Sequence, residues 1–462
     1  MTTVPARAAT DAIEPRRPRF ALLHGLAASL NPERYFAWRR ARDGDTFLVR
    51  FPGFTPVLFT SNADGARDIF RAPVAILEPP QPNPIGPLVG DASMILISGE
   101  RHRRDRALMM PPFHGERMRA YGRLIQESAL QEVATWQAGD RIDGRAATRA
   151  ITLRVILEAV FGLDSHTRRD AYTRTVADFL GSYSGPLMLA PALRRSIFGL
   201  GPWARFVRLR GAFDALLAED VAHRRAEQRT DRTDILSMLL STTYEDGSSI
   251  GDADLREQLR SLLVAGHETT ATSVTWALFH LLREPAVLAR VLDEIRSAGP
   301  DPSPEALAKL PYLDAVCHET LRLHPAVPIV LRTLTEPLIV DGVRAPAGGI
   351  VGIVLPLLHS HHDVWTDAAR FDPERFLGRR YTPFEYAPFG GGHRRCVGFA
   401  LAEFEMRIVV ATVRSRVRLA LPDRALRRPP PVSVPHNIAT SPRRGITFEV
   451  RELIKTEENS QH

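Results

Sequence analysis

A mainly helical α+β fold with small β-sheets is predicted by three features of the chain. Helical spacing of apolar residues is almost continuous from Glu100 to about residue 290. Strand-like alternation is confined to the two sequence ends, and one helical pattern, from about 253 to 283, is far longer than an ordinary surface helix.

In chain order, NPERYFAWRRAR reads as a helix, followed by two short strands, TFLVRFP and TPVLFTS, joined through a Pro-Gly turn. The Pro-rich stretch from Ala72 to Leu88 reads as irregular. The helical run that follows is interrupted at GSYSGPLMLAP and TTYEDGSSIGD. Helix returns in SPEALAKLPYLDAVCHETLRLHP, strands return in TEPLIVDGVRAPAGGIVGIVLP, and a long loop leads to Cys396 before the amphipathic helix ALAEFEMRIVVATVRSRV. There is no internal repeat. Residues 1–19 and 451–462 are polar or Pro-rich and read as flexible tails around one domain, 20–450, with β-rich parts at about 45–60 and 325–355.

With 462 residues, 44% hydrophobic and 24% charged, the composition is that of a globular protein. The N-terminus has no apolar signal-peptide core, and no stretch approaches the roughly 18 apolar residues of a membrane span. A soluble cytoplasmic protein is expected. Cys317 and Cys396 are the only cysteines, too few for a disulfide scaffold and in keeping with a reducing compartment. The net charge of +7 comes from arginines interleaved with acids, without an aromatic ladder or a DNA-binding helix pattern. Nucleic acid is therefore not an expected partner. Solvated helix faces, or docking of an acidic electron-transfer protein, account for the charge.

The chemistry concentrates in FGGGHRRCVG, residues 389–398. Glycines allow positive φ and close approach of another body, arginines supply fixed positive charge, and a cysteine entering a helix N-terminus has its thiolate stabilised. A lone thiolate is a soft metal ligand and suits axial ligation of haem iron. On these ten residues alone an inert buried cysteine, or a catalytic thiol served by His393, remains open.

Phe389, Gly390, Gly392, Arg394, Cys396 and Gly398 resemble the cysteine-ligand loop of the haem-thiolate monooxygenases, the cytochrome P450 family, and three further motifs match in order. ETLR, Glu319 to Arg322, puts an acid and a base on one helix face; the resemblance joins them to Arg375 of DPERF as a structural lock. LLVAGHETTATSV places a glycine, a glutamate and two threonines in an apolar helix, a violation of local preference that points to function. By resemblance, Ala265 and Gly266 mark the opening of the helix beside the iron, and Glu268 and Thr269 are the acid and alcohol that deliver protons, with His267 a packing residue. HRRDR puts His102 and Arg106 four residues apart on one helical face; together with Arg332 and Arg394 they resemble the family's haem-propionate ligands.

The resemblance implies a P450 fold with a long central helix over a buried haem b, its iron held by Cys396. The implied activity is insertion of one oxygen atom from O2 into a lipophilic fatty acid, terpenoid or secondary metabolite. Electrons would come from NAD(P)H through a separate ferredoxin- or flavodoxin-type donor and its reductase, to a monomeric enzyme. A peroxygenase or a haem sensor or electron carrier is the alternative; a thiol hydrolase leaves the glutamate-arginine lock unexplained. The expected pocket lining includes Met94, Ile95, Leu187, Met188, Ile329 and Ile438. Arg103 and Arg104 read as solvated charge or a donor-docking surface, and Arg395 as surface charge. Arg194 and Arg195 read as exposed helix charge, or anchors for a carboxylate. HSHHD, residues 359–363, has metal-like composition but reads as a polar loop, and Cys317 as a packed small apolar residue.

Overall fold

A computed structural model describes residues 21–51, 55–113, 115, 117–163, 165–189, 191–196, 198–227 and 232–454. The expected N-terminal tail, 1–19, lies outside them. The chain resolves into two compact units, each assembled from separate stretches of sequence, where one domain over 20–450 was expected.

The first unit contains residues up to Gln81, Pro328–Ala369 and Tyr381–Arg395. Its centre is a five-stranded sheet in the order Thr46–Val49, Val57–Thr60, Ile350–Val354, Ile329–Leu334, Leu77–Glu78. Val57–Thr60 and Ile350–Val354 are buried along their whole length, as apolar strands covered on both faces are, and they pair in parallel with Val57 opposite Ile350. Gly352 sits where a side chain would press on Leu331 and the ring of Phe59, both 2.8 Å from a β-carbon. Tyr35, Phe36, Phe47 and Phe59 pack with Val354 and Leu357, while Ile69, Phe70, Val351 and Leu355 form a second cluster. The helix Ala63–Arg71 in that cluster starts where the Asn62 side chain accepts from the Gly65 amide at 2.8 Å.

The second unit is the helical body, with residues Pro82–Val327, Arg370–Arg380 and Cys396 onward. Its axis is the 32-residue helix Asp252–Arg283, about 48 Å long at 1.5 Å per residue. From Leu263 to Leu281 it is buried on almost every side, which explains why its apolar residues do not form a single stripe. Gly144–Phe161 runs against it, joined by hydroxyls: Thr148 Oγ1 donates to the Ala271 carbonyl at 3.0 Å and lies 2.8 Å from Thr275 Oγ1, and Thr152 Oγ1 donates to the His267 carbonyl at 3.0 Å.

The predicted fold class stands, and strands fall at the expected places near 45–60 and 325–355. Further strands lie outside those two parts: Arg141–Asp143, Val417–Ala420 and Thr447–Leu453 form a sheet, and Ser433–His436 pairs with Ala439–Pro442. The last strand runs to Leu453, three residues into the expected C-terminal tail, because Glu452 and Leu453 pair with Arg418 and Val417.

Candidate active site

Cys396 is exposed and stands just before the 18-residue helix Phe399–Arg416, whereas Cys317 is buried and burial pushes its thiol well above the ordinary value. Of the two sulfurs, Cys396 is the exposed one and lies at a helix entry. The run before it takes its shape from glycine: Gly390 and Gly392 have φ of 69° and 64°. A β-carbon on Gly391 would stand 2.6 Å from the Phe70 ring, and one on Gly392 would meet the Phe70 carbonyl. The body these glycines approach is therefore the chain's own helix Ala63–Arg71. Gly390 has only Val330, at 4.0 Å, near such a β-carbon, and Gly398 has nothing within 4 Å.

Arg332 projects from the strand Ile329–Leu334, donates to the Leu331 carbonyl at 2.7 Å, and makes no ion pair among the described residues. Burial first, and the neighbouring Arg394 second, push its pKa down to about 10. A crowded cation facing a second cation without an acid calls for an anion, and the two propionates of a haem are of that chemistry. On the helical unit, His102 is buried and Arg106 half-buried, four residues apart on the helix Gly99–Met109. The surface arginines beside them are neutralised: Arg103 pairs with Glu100 at 2.6 Å, and Arg104 pairs with Asp246 at 3.0 Å and lies over the Tyr244 ring.

The helix Asp252–Arg283 is continuous through Ala265 and Gly266, so the expected opening is not a break. Gly266 faces Ile156, whose Cδ1 would be 2.9 Å from a β-carbon there, and its role is to let two helices approach. The hydroxyls of Thr269 and Thr270 turn back onto the Ala265 and Gly266 carbonyls at 2.7 and 2.9 Å. Glu268 points elsewhere. Fully buried, it receives Arg145 at 2.7 Å and Arg149 at 2.9 Å, both from Gly144–Phe161. Burial works against its charge, but His267, Arg149 and Arg145 outweigh it and hold the carboxyl below its ordinary pKa. Burial holds the pKa of His267 below its ordinary value against the pull of Glu268, and its Nδ1 donates to the Leu263 carbonyl at 2.7 Å. Glu268 is thus an ion-paired carboxylate and not a free acid, and nothing in the sequence pointed to its partners. Sequence reading also missed Glu405, buried in Phe399–Arg416, whose Oε1 has no hydrogen-bond partner among the described residues.

The lock is complete. Arg322 grips Glu319 with two parallel bonds of 2.6 and 2.7 Å, the Asp372 amide donates to Glu319 at 2.8 Å, and Arg375 stands 3.5 Å away. Of the expected pocket residues, Leu187 and Met188 are buried, while Ile95 is 38% exposed. Arg194 donates to the Leu187 and Met188 carbonyls at 2.9 Å each and is committed to the backbone. In HSHHD, His359 Nε2 accepts from the Ala387 amide at 3.0 Å. His361, His362 and Asp363 bring one ligand atom each within 4.8 Å of one another. No described helix is long and apolar enough to cross a membrane.

A family model, Cytochrome P450, matches residues 13–445. The putative cytochrome P450 135B1 of Mycobacterium tuberculosis is 35% identical over 443 residues, covering 95% of this chain and 90% of that one. The putative cytochrome P450 138 of the same species is 32% identical over 394 residues, with 85% and 86% covered. Among solved structures, a retinoic acid-bound cyanobacterial CYP120A1 superposes with a TM-score of 0.80 at 23% identity, over 92% of this chain and 96% of that one. A cytochrome P450DA heme domain superposes with a TM-score of 0.83 at 22% identity, over 95% and 97%. Both are similar to this chain in fold. With a family model spanning most of its length and relatives above 30% identity, this chain belongs to the cytochrome P450 family of haem-thiolate monooxygenases.

Proposed function

We propose that this protein inserts one oxygen atom from O2 into a lipophilic small molecule, a fatty acid or a terpenoid-like metabolite, with electrons from NAD(P)H passed on by a separate ferredoxin- or flavodoxin-type donor and its reductase. The observation that carries the reading is the pair Arg332 and Arg394, two half-buried neighbouring cations with no acid paired to Arg332 among the described residues, in a chain that also presents Cys396 at the head of a helix. Haem b, when bound, supplies activation of dioxygen. Cys396 would hold its iron through a thiolate, and His102, Arg106, Arg332 and Arg394 would meet its carboxylates. Phe389, Gly390 and Gly398 belong to the loop and helix entry that present the cysteine.

Thr269 is the residue proposed to move a proton. Its hydroxyl proton is donated to the Ala265 carbonyl, which leaves the oxygen lone pairs free to accept a hydrogen bond. Glu268 would join the relay only by exchanging Arg145 or Arg149 for another partner, so these arginines set how often it is available. Thr269→Ala is expected to raise peroxide release and lower product at unchanged oxygen uptake; unchanged coupling removes Thr269 from the mechanism.

The reduced protein under carbon monoxide tests the ligation. The wild type is expected to give the absorption band of thiolate-ligated haem and Cys396→Ala to lose it; a wild type without that band overturns the reading. Product formed from peroxide alone, and not from O2 with a donor system, would assign a peroxygenase instead.

A further inference from the structure

Around Gln258 the structure shows a polar clamp that no motif announced. The Gln258 side chain is 1% exposed and uses both ends of its amide on the loop before the His102 helix: Oε1 accepts from the Met94 amide at 3.1 Å and Nε2 donates to the Ala92 carbonyl at 2.7 Å. The same Nε2 reaches Asp105 Oδ2 at 3.2 Å, on the helix Gly99–Met109 that carries His102 and Arg106. Asp105 Oδ1 takes a bond from the Tyr244 hydroxyl at 2.9 Å. On either side of Gln258 along Asp252–Arg283, Glu257 accepts from the Ala92 amide at 2.6 Å and Ser261 donates to Ser93 Oγ at 2.7 Å. Ala92 therefore has both backbone groups tied to one helix. Gly90 closes the clamp: at φ 90° it lies where any side chain would run into Glu257 and Arg260.

A loop free to adapt to ligands would leave such groups to water. Here they are buried, and a side chain that replaced Gln258 would leave Ala92 O, Met94 N and Asp105 competing for donors and acceptors they no longer have. Glutamate could still accept from Met94 but could not donate to Ala92, and would face the Asp105 carboxylate. Only an amide of this length serves all three.

We propose that Gln258 is a positioning residue for ligand selection, holding the loop Gly90–Ile97 and the His102–Arg106 helix as one rigid piece on the long helix, so that it shapes the ligand space without touching the ligand. The proposal rests on the monooxygenase reading for the loop's place beside the ligand, but the clamp itself rests on these bonds alone.

The test uses the full-length haem protein in wild-type, Gln258→Met, Gln258→Glu and Ser261→Ala forms, with three readouts. The carbon monoxide band is expected to persist in all forms. Amide hydrogen exchange over residues 90–98 is expected to rise about tenfold or more in Gln258→Met and Gln258→Glu, and less in Ser261→Ala. Titration with n-alkylimidazoles from butyl to dodecyl, which bind haem iron directly and probe the space around it by chain length, is expected to show a changed preference in the two Gln258 variants. Exchange unchanged in Gln258→Met overturns the clamp. Exchange raised with the chain-length preference unchanged overturns the role in ligand selection. A wild type with no azole shift sinks the haem reading, and the ligand half of this proposal with it, while the exchange measurement still judges the clamp.

Discussion

Arg322→Leu is expected to cost about 3–5 kcal/mol of stability, because it removes both bonds that compensate Glu319 in the interior. Glu319 is fully buried. Its remaining contacts, the Asp372 amide at 2.8 Å and Arg375 at 3.5 Å, bear on one oxygen, Oε1, and leave Oε2 bare. Burial already raises the Glu319 pKa against the pull of Arg322, and without that arginine the carboxyl is expected to take up a proton. Chemical denaturation of Arg322→Leu, Glu319→Leu and the double variant measures the coupling. The double variant should recover a large part of the single variant's loss, since two apolar side chains leave no orphaned charge. A loss in the double variant equal to the sum of the two single losses would show that the two residues do not act as a pair.

Glu405→Gln is expected to remove a large pH dependence of stability. Burial pushes the Glu405 pKa from 4.5 to about 8, with no opposing charge among the described residues. The sign follows from proton uptake. A carboxyl that holds its proton more tightly folded than unfolded contributes stability that is fully present below about 4.5 and is lost as pH rises to about 8. The upper limit of the change is about 5 kcal/mol, from the 3.5-unit difference at roughly 1.4 kcal/mol per unit. The wild type should therefore lose several degrees of Tm between pH 5 and pH 8 that Glu405→Gln does not. Equal pH slopes would place Glu405 in a polar or hydrated setting and sink the prediction.

What the sequence made legible was local. ETLR puts Glu319 and Arg322 on one helical face, and the two side chains meet there because i, i+3 neighbours have nowhere else to go. The long helix was readable from its length of pattern, and the glycines before Cys396 from their clustering. The partners were not readable, because they come from distant turns of chain whose approach is decided by packing. Phe70 explains Gly391, Ile156 explains Gly266, and Arg145 and Arg149 explain why Glu268 is an anion. Likewise His280 and His324, with Nε2 atoms 2.9 Å apart and rings stacked on Phe371 and Trp276, have no signature in sequence. Resemblance supplied the family, and the geometry then changed the reading of individual residues in it.

The pairing of Val57–Thr60 with Ile350–Val354 has a consequence for biosynthesis. A ribosome has made about three quarters of the chain before the inner partner of the first apolar strand exists, and Gly391, which seats Phe70, comes later still. During that interval a strand with no exposed residue in the finished protein has only its antiparallel neighbour, Thr46–Val49, for cover. Nascent chains stalled before residue 350 should therefore be strong chaperone clients, and a short peptide copying IVGIV should compete for the open edge.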